Sequence, residues 1–232
     1  MTGRQLFLLF AGLAAAAVPA SGGEKTAAPE GAIKLVQTIE FQKPQGGKNA
    51  GLRNVRVHGG FVYAHPQSQN RLYWYRRGDD GKLVEAGKLE GCSDRSMVFV
   101  GGRLYMIRRV KGQPPAIAWY KVDAKSGRPA EAGVVDAKVG FGGSVSYDPL
   151  VVSPDGKHLY LFAPNKRDGS HVAWFTIRED GAPSFAGKVK GEGIGYAAKY
   201  LGDTSLRLSP DGKHLYVVSA TEHKLAILAR AA

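Results

Sequence analysis

A single cysteine in 232 residues, Cys92, excludes an intramolecular disulfide, so stability has to come from packing even in an oxidising compartment. Cys92 is most simply a small buried apolar residue. No apolar run reaches the roughly 20 residues needed to cross a bilayer as a helix. Chemical signatures are missing as well: the chain has no nucleophile elbow, phosphate loop or dinucleotide fingerprint, and its histidines show no metal-protease spacing. The Asp155-Gly156 and Asp211-Gly212 pairs lack the further spaced carboxylates of a calcium loop. No cofactor is expected.

The net charge of +12 is spread in short groups such as Arg76-Arg77, Arg108-Arg109 and Lys166-Arg167. A specific nucleic-acid binder would concentrate its cations in one stripe with interleaved aromatics, so that class is set aside. Non-specific attraction to anionic surfaces is the expectation that remains.

What is present begins with an export signal. Arg4 precedes an apolar run from Leu6 to Val18, and Val18-Pro19-Ala20 sets small residues where a signal peptidase cuts. Residues 1–20 therefore read as a signal peptide and the chain as exported, to the periplasm or beyond. Residues 21–32 read as a flexible leader, and 33–232 as one domain.

Repetition dominates that domain. Ser153-Pro154-Asp155-Gly156-Lys157-His158-Leu159-Tyr160 recurs, identical, from Ser209 to Tyr216. Weaker copies end at Tyr63 and Tyr105, with Gly59-Gly60 and Gly101-Gly102 as the turns. Glycine between two β-prone runs is a hairpin signal, because it accepts the positive φ of a tight turn. A third stretch follows in each unit, around Trp74, Trp119, Trp174 and Leu225 to Leu228, and a fourth follows in the first three units. Units of four short strands are the signature of propeller blades. The expectation is an all-β propeller with blades at about 51–91, 92–139, 140–192 and 193–230.

The fourth unit stops after its third strand, while Lys34 to Phe41 carries the pattern of a fourth strand. A blade-closing strand at 33–42 that completes the last blade is therefore expected, since an unpaired edge is a liability. Two alternatives stay open: half of an eight-bladed ring built by a homodimer, or a shortened relative of a larger propeller. The repeated aromatics read as inter-blade core, with tyrosine hydroxyls at a polar edge or on a backbone partner. His158 and His214, just after their turns, read as exposed.

The Ser-Pro-Asp-Gly-Lys-His-Leu-Tyr repeat, with Val172-Ala173-Trp174-Phe175 and Gly187-Lys188-Val189 after it, resembles the lactonase-type and YVTN-type β-propeller repeats. The resemblance runs from Ile33 to Arg230. That family typically builds seven blades and includes 6-phosphogluconolactonase and a muconate cycloisomerase. The shared residues make turns, so no catalytic residue is carried over.

In a propeller the loops leading into the innermost strands form a mouth. Arg53, Asn54, Asp94, Arg95, Ser96, Tyr147, Asp148, Asp203, Thr204 and Ser205 fall there. Arginine forks suit carboxylate or phosphate, and Asp148 or Asp203 could accept a proton. A metal on Asp94, Asp148 and Asp203 is opposed by the neighbouring arginines. The reading is a non-catalytic propeller that binds a ligand or protein partner at this mouth, with a lactonase or cycloisomerase acting on a small anionic substrate as the alternative. A partial propeller without its own site is the third.

Overall fold

The computed structural model describes residues 35–41, 52–66, 71–90, 96–108, 115–138, 150–163, 169–190, 194, 206–219 and 224–230. Every regular element among them is a strand: β1 (Leu52–His58), β2 (Phe61–Pro66), β3 (Arg71–Arg77), β4 (Leu83–Glu90), β5 (Met97–Val100), β6 (Arg103–Arg108), β7 (Ala116–Val122), β8 (Pro129–Asp136), β9 (Leu150–Val152), β10 (His158–Ala163), β11 (His171–Ile177), β12 (Pro183–Lys190), β13 (Leu206–Leu208), β14 (His214–Ser219) and β15 (Lys224–Ala229). They form four antiparallel meanders, β1–β4, β5–β8, β9–β12 and β13–β15, called blades 1 to 4. The strands that meet across blades are the first of each: β1 lies beside β5, β5 beside β9, and β9 beside β13. Such a radial array of meanders is a β-propeller.

Turn chemistry sets the hairpins. Gly59 and Gly60 (φ 56° and 80°) and Gly101 and Gly102 (φ 53° and 72°) close two-residue turns with both central residues left-handed. In the Ser-Pro-Asp-Gly repeats the serine organises the turn: the His158 and His214 amides each donate to a serine hydroxyl, Ser153 or Ser209, at 2.9 Å. Each of those hydroxyls donates to the next aspartate, Asp155 or Asp211.

Alternation along the strands gives each blade two faces, and the core lies between blades. Phe61, Tyr63, Leu72 and Trp74 of blade 1 cluster with Met97, Leu104, Met106, Ala118 and Tyr120 of blade 2. Tyr105, Ile107 and Ile117 meet Leu159, Leu161, Ala173 and Phe175 at the next junction. Tyr160, Phe162 and Val172 meet Leu206, Leu215 and Val217 at the last. The tryptophans thus fill core, and two of the four blade tyrosines take the backbone alternative: Tyr63 donates to the Gly127 carbonyl at 2.8 Å and Tyr105 to that of Gly181 at 2.9 Å. Burial pushes both phenols up to about 12.

The strand expected to complete the last blade is not found there. Among the described residues blade 4 has three strands, and residues 35–41 join no ladder. Phe41 instead sets its ring edge-on to Tyr73 (5.4 Å) and Tyr75 (6.4 Å), on the side of blade 1 turned away from blade 2. The Gln37 side chain donates to the Leu83 carbonyl and accepts from the Leu83 amide, at 3.2 and 2.7 Å. Aromatic contact and a side-chain amide hold the segment where backbone pairing was expected. His158 and His214 are also not exposed: both are half-buried, and His158 lies 2.9 Å from Arg230. Residues 1–20 and Cys92 lie outside the described residues.

Candidate functional site

The two ends of the blades differ in chemistry. Short turns occupy one end. At the other, where β1 and β11 begin and β2 ends, polar side chains are buried: Asn54, His65, Ser96, Ser170 and His171. Asn54 and His65 face each other across β1 and β2. Burying polar groups costs free energy unless they are paired. Ser96 has a buried hydroxyl with no partner among the described residues. Arg108, at the end of β6, is gripped in a fork by Glu131 at 2.6 and 3.2 Å and bonds the Tyr120 hydroxyl at 2.7 Å. The Arg108 guanidinium holds the Glu131 carboxyl below its usual range.

The innermost strands carry the site's charge. Registered against the blade tyrosines Tyr63, Tyr105, Tyr160 and Tyr216, the facing residues are Arg56, Val98, Val151 and Arg207. These four line one cavity of about 320 Å³ with Phe99 and Leu150. Arg56 donates from Nε to the Met97 carbonyl (3.1 Å) and from Nη1 to the Val55 carbonyl (3.0 Å), tying β1 to β5. Arg207 donates from Nη1 to the Leu206 carbonyl at 2.9 Å. Two guanidinium forks in one apolar groove suit a carboxylate or phosphate.

The candidate cations named from the sequence, Arg53 and Arg95, do not include this pair. The available signal was a charge at a repeat position that is valine in the two middle blades.

Of the mouth residues, Arg53 is the extra residue of a β-bulge, because Leu52 pairs Pro66 and Asn54 pairs His65. Bulges commonly re-aim side chains beside sites. Asn54 is 3% exposed and belongs to the buried polar layer, not to an open rim. Ser96 joins it there. Asp94, Arg95, Tyr147, Asp148, Asp203, Thr204 and Ser205 lie outside the described residues. No group of three or more His, Cys, Asp or Glu is placed to hold a metal among the described residues.

A second cavity, of about 610 Å³, lies beside β15 and is lined by His158, Tyr160, Trp174, Ile227 and Arg230 among others. Arg230 reaches Asp155 at 2.8 Å and His158 at 2.9 Å. Its guanidinium, with the Ser153 hydroxyl and the Lys157 amide, holds the Asp155 carboxyl far below the usual range. His158 is lowered, first by burial and then by Arg230.

Comparison with known proteins bears on the fold. No family model matches the chain, and no curated protein does. Solved structures do. A candidate 6-phosphogluconolactonase from Bacteroides fragilis superposes with a TM-score of 0.63 at 19% identity, over 83% of this chain and 55% of that one. A second, from Bacteroides uniformis, gives 0.62 at 19% identity, over 78% and 50%. The periplasmic gluconolactonase of Pseudomonas aeruginosa gives 0.58 at 20% identity, over 78% and 50%. The fold shared with these structures is a β-propeller. The chain spans about half the length of the structures it matches.

Proposed function

We propose that the chain is an exported propeller that binds a small anionic molecule in its central channel, and that it acts by holding this ligand, not by turning it over. The observation that carries this reading is the placement of Arg56 and Arg207 at one repeat position in one cavity. A charge-assisted hydrogen bond contributes about 1.5 to 3 kcal/mol, so each arginine is worth about 10- to 100-fold in affinity. The buried polar layer of Asn54, His65, Ser96 and His171 lies at the loop end of the same blades. On the sequence alone, Arg53, Asp94, Arg95, Tyr147, Asp148, Asp203 and Ser205 are proposed as further ligand-binding residues. The first twenty residues support export, and the periplasmic gluconolactonase among the structural neighbours is in keeping with it.

Lactone hydrolysis is the second reading, favoured by the names of three neighbours. An opened sugar lactone is a carboxylate, so the same arginines would hold its product. Titration of gluconate and 6-phosphogluconate against neutral glucose tests the first reading, and proton release from a panel of lactones tests the second. Binding of the acids without turnover supports the holding role. Turnover that vanishes on substitution of Arg53, Arg95, Asp148 and Asp203 overturns it.

A further inference from the structure

Three blade-to-blade junctions share one construction. A tryptophan of one blade, Trp74, Trp119 or Trp174, packs in the same cluster as an alanine of the next, Ala118, Ala173 or Ala226. At the first two junctions a tyrosine hydroxyl also crosses to a glycine carbonyl in the next blade's last turn.

The two halves of a fourth such junction stand uncovered at the ends of the arc. On the outer face of blade 4, Val218, Leu225 and Ile227 are 40, 59 and 60% exposed, and on that of blade 1, Val55 and Val57 are 45 and 71% exposed. Their sizes are exchanged in step. Blade 4 carries the smaller Ile227 at the tryptophan position, and blade 1 carries the larger Tyr73 at the alanine position. Paired, they conserve the bulk that a close-packed interior requires. The turn carbonyl is also in place. Gly127 and Gly181 lie so tight against Phe61 and Arg103 that a Cβ would strike them, whereas at their counterpart Gly81 (φ 77°) it would meet nothing within 4 Å. Tyr216 holds the matching hydroxyl position on blade 4.

Residues 36–41 complete the correspondence. Fourth-strand residues Leu89, Val135 and Val189 pack into the junction with the next blade. Phe41 takes that place on blade 1, against Tyr73 and Tyr75. The segment therefore sits where the fourth strand of a preceding blade belongs, while no strand among the described residues pairs with the outer edge of β15.

We propose that a second copy of this chain supplies the match. Blade 4 of each copy packs on blade 1 of the other, and residues 36–41 of each pair with β15 of the other along the 610 Å³ groove. The arc superposes on about half of each longer propeller it matches. A second arc supplies the complementary half of such a ring. Two identical junctions about a two-fold axis close the assembly, and eight blades lie within the range propellers adopt.

The expected light-scattering mass is twice that of one chain. Ile227→Asp or Val57→Asp places a charge in the junction and weakens the pair about 100-fold or more, giving single-chain mass with an unchanged β-sheet circular dichroism spectrum. Val84→Asp, exposed on the other face of blade 1, leaves the mass doubled. In a Cys92→Ser background, Val57→Cys with Ile227→Cys is treated with a thiol crosslinker of about 10 Å, the separation of packed sheets. Crosslinked dimer is the expected product. A wild-type monomer, or a crosslink formed within one chain, overturns the proposal.

Discussion

Replacing Gly133 with alanine puts one methyl group where the Trp119 ring already lies. A Cβ built on Gly133 falls far inside contact distance of the Cη2, Cζ2 and Cζ3 atoms of that ring. The ring would have to retreat by more than about 1 Å to regain a carbon–carbon separation of roughly 3.5 to 4.0 Å. It has little room, because it packs in the cluster formed by Ile117, Ala173 and Phe175. Overpacking of this kind costs about 1 to 3 kcal/mol, offset by about 0.4 to 1 kcal/mol from the stiffer unfolded chain. So severe an overlap belongs in the upper half of that overpacking range, about 2 to 3 kcal/mol, and the net expectation is a loss of about 1 to 2.6 kcal/mol, or roughly 2 to 10 °C in Tm for a domain of this size.

Thermal and urea denaturation of Gly133→Ala, Trp119→Phe and the double variant measure it. Phenylalanine does not reach the atoms that clash, so the double variant should be at least about 1 kcal/mol more stable than the sum of the singles. A neutral Gly133→Ala, or effects that add within about 0.5 kcal/mol, would refute the packing argument. Gly87 with Trp74 and Gly187 with Trp174 should repeat the result.

Other expectations rest on single contacts. Tyr63→Phe removes the bond to the Gly127 carbonyl and leaves that acceptor buried, so chemical denaturation should show a loss of about 1 to 3 kcal/mol. His158 has its folded pKa lowered by burial and by Arg230. Below the unfolded value near 6.5, the unfolded chain takes up a proton that the folded chain refuses, so stability falls with pH from there down to the folded pKa. His158→Gln should flatten that slope in melts taken between pH 7 and pH 5. Asp155, with its pKa depressed chiefly by Arg230, contributes stability above the unfolded value near 3.9 that is lost on further acidification. Arg230→Gln should therefore make the protein less acid-resistant, as read by unfolding below pH 4.

The blade plan was legible because repetition exposes it. Two identical Ser-Pro-Asp-Gly turns, two Gly-Gly turns and three tryptophans at matched positions define strands and core without reference to distant contacts. The tyrosine partners followed from the same logic, since a phenol buried in a junction needs an acceptor. The place of residues 35–41 did not follow. Alternating apolar residues mark a segment as strand-like, but which edge it meets depends on Phe41 finding Tyr73 and on Gln37 finding Leu83, 46 positions away. Arg56 and Arg207 were missed for a related reason. A lone arginine in a strand reads as solvated until the ladders put both at one repeat position and the fold brings them to one cavity. Arg53 lies in β1 at a bulge, which is a property of pairing with β2 and not of local sequence.

Isothermal titration of 6-phosphogluconate into the wild type and into Arg56→Met, Arg207→Met and the double variant tests the central claim most directly. Saturable binding is expected, weakened about 10- to 100-fold by each substitution and further by added salt as the charges are screened. Neutral glucose should give no comparable signal. Affinity for the acid that is the same in the double variant as in the wild type would contradict the assignment of the channel arginines.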